Sequence, residues 1–192
     1  MSATAAWIES ATDEMRRALA AASDSDWSVP AGDVDWSCQH TAGHVADDLF
    51  SYASQVIAQP TRGYLPIEAT LDPSATPTEL LDAVVMCGRL LALAVSAASP
   101  DARSWHPSGT SDPKGFAAMG ILEVLVHTHD IARGLDVAWV PPDELCGPVV
   151  ERLFPDAPPG SPAAVLLWCT GRAPLGNLPR QTTWGWDSSV RR

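Results

Sequence analysis

At 192 residues, with 46% hydrophobic and 18% charged residues, the chain has the composition of a globular protein rather than a disordered one. Its 23 acidic residues outweigh 12 Lys and Arg, the net charge is −11, and Lys114 is the single lysine. That balance excludes a surface for nucleic-acid phosphates or anionic lipid headgroups, both of which need clustered cations.

The first predicted helix runs from Thr4 to Ala22, with Trp7, Ile8, Ala11, Met15 and Leu19 at helical spacing. A second starts at Ser37 as N-cap and continues through His44, Leu49, Tyr52 and Val56 to Ala58, where Pro60 and Gly63 end it. The third has the clearest start in the chain. Thr76 caps, Pro77 takes the first helical position and Glu79 completes a capping box, followed by the run to Ala98. Asp112-Pro113 opens a fourth helix that continues to Arg133, with Gly134 as its C-terminal stop. Gly115 and Gly120 inside it are expected to admit a backbone or a ligand. Two shorter helices follow, Pro142 to Phe154 and Pro162 to Thr170, the second with Ser161 as cap and Gly171 as stop. The tail around Trp184-Gly185-Trp186-Asp187 reads as a short extended segment or hairpin.

This order implies an all-α protein: an antiparallel four-helix bundle over residues 1–140, with a short C-terminal extension over 141–192 packed on it and a small irregular or β tail. The connections Gln59 to Ala75 and Ser99 to Ser111 are long enough to cover one mouth of the bundle. The N-terminus lacks a basic stretch followed by an apolar core, and the apolar runs fall short of a bilayer span, so a cytoplasmic location and no membrane partner are expected. Cys38, Cys87, Cys146 and Cys169 form no Cys-x-x-Cys pair and read as free thiols packed as small apolar groups. Core packing is the expected fate of most of the eight tryptophans, with Trp36 and Trp105 candidates for a pocket mouth.

The chemistry-bearing pattern lies in the second and fourth helices. Glu123 and His127 are one turn apart, so both project from one face of a strongly apolar helix. An apolar core face does not carry such groups without partners, because unsatisfied buried polar groups are costly. His44, beside Ala42, Val45 and Leu49, offers a third ligand. Two imidazoles and a carboxylate leave coordination positions open, the pattern of a catalytic divalent site; zinc, nickel and iron all suit it. His40, His44 and Asp48 form a polar line on the second helix, which makes His40 and Asp48 candidate proton carriers. Asp130, three residues after His127, is placed to orient it or to move a proton. His129 lies about 200° from His127 around the helix and is expected on another surface. His106 reads as a loop residue, and Arg172 as a cap for the last helix or a binder of an anionic cofactor group.

Trp36 to Leu49, with His44 eight residues after the tryptophan, resembles the second-helix motif of the mycothiol-dependent maleylpyruvate isomerase family. Glu123-Val-Leu-Val-His127-Thr-His-Asp130 resembles its fourth-helix motif, and Leu167-Trp168-Cys169-Thr170-Gly171-Arg172 looks like the C-terminal segment of actinobacterial members. The resemblance implies a DinB-like bundle and a divalent metal on His44, Glu123 and His127. It also implies a low-molecular-weight thiol, mycothiol, as cosubstrate for isomerisation or S-transfer on a small-molecule substrate. Two other readings stand beside it: a thiol-independent metal-dependent hydrolase, lyase or isomerase, and a non-catalytic metal- or ligand-binding module. Either a monomer or a homodimer is compatible with the sequence.

Overall fold

The computed structural model describes residues 3–190. It is all-α, with six helices and no sheet among the described residues: α1 (Ala3–Leu19), α2 (Cys38–Ala58), α3 (Pro77–Ala97), α4 (Pro113–Gly134), α5 (Asp143–Leu153) and α6 (Pro162–Cys169). A 3-10 turn, Ala20–Ala22, prolongs α1, so the helix expected to reach Ala22 tightens in its last turn. The capping signals act as read. Ser37 Oγ accepts from His40 N–H, Thr76 and Glu79 make the reciprocal capping box, and the Asp112 carboxylate accepts from Gly115 N–H.

The four long helices form a ring in which α1 and α2 face each other across the bundle. α3 and α4 each pack on both. Arg16 reaches Asp82 and Thr12 meets Gly88, so α1 and α3 run antiparallel. Cys38 touches Ile131 while Tyr52 touches Phe116, so α2 and α4 also run antiparallel. Between α2 and α3 the direction is shared, and the connecting loop explains how. Gln55 Nε2 donates to Gly63 O, Ala69 N–H to Asp47, and Gln39 Nε2 to Pro73 O. The loop therefore retraces the whole length of α2 before α3 begins. Parallel neighbours require such a return, and this loop lies along the bundle rather than over a mouth.

Almost every residue of α4 is buried, because α1 and α2 pack on one side and α5 on the other. A helix apolar all round must be buried all round. Gly134, expected just past the end of α4, is its last helical residue. A Cβ there would meet the carbonyl oxygen of Pro30 and Cys38 Sγ, so packing against the α1–α2 loop demands glycine, not a left-handed cap. Gly115 and Gly120 make room for side chains, not for a backbone or a ligand: Ser111 and Arg152 at the first, Leu91 and Leu49 at the second. Gly171, at φ +68°, does close α6 in the left-handed conformation.

The tail is irregular. It contains one isolated bridge, Leu175 to Leu178, and no strand. Of the eight tryptophans Trp27 is buried and Trp139, Trp168 and Trp186 pack partly buried against the core, so the core reading holds for half of them. The bundle interior is filled by Ala, Val and Leu, whose small cross-sections bring the helices close and leave little room for indoles. All four cysteines are free and buried. Pro77–Ala97 is long and apolar enough, at a mean hydropathy of 1.9, to match a membrane span in composition, yet it packs on α1 and α2 and most of that stretch is buried.

Candidate metal centre

The seam between α2 and α4 brings His44, Glu123 and His127 together. One donor atom from each lies within 4.8 Å of the others. His127 Nε2 is 3.3 Å and His44 Nε2 3.8 Å from Glu123 Oε2. Two donors each about 2.1 Å from a tetrahedral ion stand about 3.4 Å apart, so this donor set fits a divalent ion. Glu123 and His127 are buried and His44 is partly exposed, which leaves one side of the set open.

That side opens into a cavity of about 640 Å³. Its walls come from the loop before α2 (Asp33 to Trp36), from Asp48 and Tyr52 on α2, from His106 in the α3–α4 loop, and from Arg172, Trp184 and Trp186. Trp36 lies against the metal set, its ring centroid 4.8 Å from that of His44 and 6.3 Å from that of His127. A separate groove of about 500 Å³ lies between α2 and the returning loop at Glu68 to Pro73.

Asp130 fixes the orientation of His127. His127 Nδ1 lies 3.0 Å from Asp130 Oδ2, so an N–H there directs Nε2 at the metal set. Asp130 is itself held by Arg172, whose Nε donates to Oδ1 at 3.2 Å and Nη2 to Oδ2 at 2.8 Å, while Nη1 donates to Thr170 O. Burial opposes charge on the His127 ring, but Asp130 and Glu123 outweigh it and push the ring up to about 9. The same Arg172 and His127 contacts overcome burial at Asp130 and hold it below the usual carboxylate range.

Asp48 Oδ2 is 3.2 Å from His44 Nε2, at the flank of the metal set. Burial, reinforced by the nearby Glu123 carboxylate, raises its pKa, and burial with the neighbouring His127 lowers that of His44. His40 is exposed; it leans on Trp36 with centroids 5.0 Å apart and lines the second groove, which His44 also borders. Arg172 reaches the cavity wall and stacks over Trp184, 5.1 Å from the ring centre, with its guanidinium bonded to Asp130 and Thr170. His129 is half-buried on another side, its Nδ1 without a protein partner. Trp36 does line the cavity; Trp105 packs edge-on to Tyr64 instead.

Several cavity residues escaped the sequence reading, Trp184 and Trp186 of the tail, Tyr52 and His106 among them. Tyr52 continues the line His44, Asp48 at the next turn of α2, a spacing that pointed to it. His106 is buried against Tyr52, Phe116 and Trp186, and no periodic pattern in its loop marks it.

Residues 8–132 match the family described as the mycothiol maleylpyruvate isomerase N-terminal domain. The chain belongs to this family. No curated protein and no solved structure matches it.

Proposed function

We propose that the chain is a divalent-metal-dependent enzyme of the mycothiol-dependent isomerase or S-transferase type. What carries the reading is the coincidence of family and geometry: three metal-type donors converge on the open wall of a cavity in a member of a thiol-dependent family. In this reading His44, Glu123 and His127 hold the ion, zinc first, with nickel or iron as other occupants. When bound, the ion would lower the pKa of a thiol so that thiolate is present near neutral pH.

The protein's own groups do the rest. Asp130 and Arg172 hold His127 in its ligating orientation. Asp48 is the carboxylate placed to take the thiol proton at Oδ2. Trp36 and the rings across the cavity exclude water from the donors. His40 leans on Trp36 outside the cavity and stays a second candidate carrier. The bundle (1–140) supplies the ligands, and the extension (141–192) supplies the far wall and the brace on Asp130.

Metal content measured on untagged protein tests the reading, beside His44→Ala and Glu123→Ala. About one equivalent in the parent, lost in both variants, is expected. A panel of electrophiles offered with and without mycothiol should then show thiol-dependent consumption by the parent alone. A parent that takes up none of the three metals overturns the reading; turnover without thiol moves it to the hydrolase or lyase class.

A further inference from the structure

Besides the His44 and His127 imidazoles, five rings wall the cavity: Trp36, Tyr52, His106, Trp184 and Trp186. Three make a ladder. Trp184 and Trp186 stack with centroids 5.9 Å apart at 27°, and Trp186 and His106 stack at 6.1 Å and 29°. Flat faces of this kind favour a planar guest by offset stacking and by area burial.

Two rings of this wall carry a neutral N–H. Ser108 N–H donates to His106 Nδ1 at 3.1 Å, which leaves the proton of the neutral ring on Nε2. Trp186, in the same wall, has its indole N–H buried without a protein partner.

Charge is where the site departs from what a dicarboxylate needs. Arg172 is the one Arg or Lys among the lining residues, and it is bonded to Asp130. At the mouth, Arg133 and Arg180 are both bonded to Asp33, and Asp35 stands beside it. At the inner end, the wall is formed by Glu123 and Asp48 beside the two imidazoles. Every arginine at the cavity is therefore already bonded to a carboxylate, and the chain as a whole carries −11. A dianion would enter against the field and find no bidentate partner free.

We propose that this cavity takes an uncharged, planar electrophile against its aromatic wall, and discriminates against dicarboxylates. The proposal rests on the thiol-and-metal reading for its chemistry, and on the cavity walls alone for its selectivity.

Dimethyl phthalate and phthalate share one aromatic ring and differ in charge, so they separate stacking from charge. Binding of each to zinc-loaded protein is read by quenching of tryptophan fluorescence and by calorimetry. The diester should bind at least ~10-fold more tightly than the dianion, which meets an acidic protein and no unpaired arginine. Trp184→Leu, a change at a half-exposed residue, should weaken the diester ~10-fold and leave zinc content unchanged. Asp35→Lys should raise phthalate affinity by ~10-fold. Phthalate binding as tight as the diester, no binding of the diester, or an unchanged affinity in Trp184→Leu overturns the proposal. Zinc content of the same samples keeps the two readings apart: its absence sinks the metal enzyme, while the ligand preference remains readable from the rings.

Discussion

Replacing Asp130 by Asn tests the brace behind the metal set. The carboxylate is 2% exposed and serves two partners: the Arg172 guanidinium, itself 9% exposed, and the His127 ring. Asparagine keeps the volume and one acceptor but leaves a buried guanidinium without a countercharge. Breaking a buried pair from one side costs about 3–5 kcal/mol. Arg172 keeps its bond to Thr170 O, so the lower end, about 3 kcal/mol, applies. For a chain of this length that is about 6–12 °C in Tm. Arg172→Met is milder, about 1–2 kcal/mol, because Asp130 retains His127. The double variant should recover most of the Asp130→Asn loss, since neither charge is then stranded. Metal affinity should behave differently. Both Asp130→Asn and the double variant should lose about 10–100-fold, because each frees the His127 ring. Urea melts of metal-free protein give the first quantity, and competition with a chelating indicator gives the second. If Asp130→Asn binds metal within twofold of the parent, Asp130 does not orient His127 and the argument is wrong.

Three further outcomes follow from local geometry. Gly134→Ala should destabilise by about 1–3 kcal/mol in urea despite its better helix propensity, because its Cβ would strike the Pro30 carbonyl; a more stable variant would contradict the packing described. Burial lowers the His106 ring from 6.5 to about 4, so the folded state refuses a proton that the unfolded chain accepts. Its contribution is whole above pH 6.5 and is lost as pH falls toward 4, by about 3 kcal/mol at the end. His106→Gln should therefore flatten the stability profile between pH 6.5 and 4.5, and a profile parallel to the parent's would show that the ring is not held neutral. Asp33 ties Arg133 of α4 to Arg180 of the tail on an exposed surface. Asp33→Ser should lower global stability by less than about 1 kcal/mol yet speed tryptic cleavage after Arg180.

What the sequence made legible was whatever repeats with the helix period or sits at a helix end. Thr76-Pro77-Thr78-Glu79 determines its own capping box within four residues, so α3 starts where it was read. Glu123 and His127 share a face through spacing alone, and His44 stands on the neighbouring helix of the ring. Gly134 was misread because its constraint is a contact with Pro30, a hundred residues away in sequence, which no local pattern encodes. The parallel pairing of α2 with α3 was hidden for the same reason. It depends on the loop lying down along Gln55, Asp47 and Gln39, and these are three side-chain bonds with no shared period. Tryptophans mislead in another way: their apolar bulk reads as core, while tightly packed small residues on the bundle helices push half of them to the cavity and the rim.

The division of labour along the chain has a consequence for specificity. The family match ends at residue 132, and all three metal-type donors lie inside it. Arg172, Trp184 and Trp186 lie beyond it, yet they make one wall of the same cavity and, through Asp130, hold one of the donors. Donor atoms set the reactive centre, whereas stacking faces and free charges set what reaches it. A chain can therefore keep the donors of its family while its extension selects a different guest. Among the contacts that join the two halves, the buried ion pair of Asp130 with Arg172 is the one that reaches a donor, so a shift of the extension at Arg172 disturbs His127. Exchanging residues 171–187 for a sequence that keeps Arg172 but replaces both tryptophans should preserve metal affinity and change ligand preference. Loss of both together would mean that the tail sets the donor geometry as a whole, and that the site is not divisible in this way.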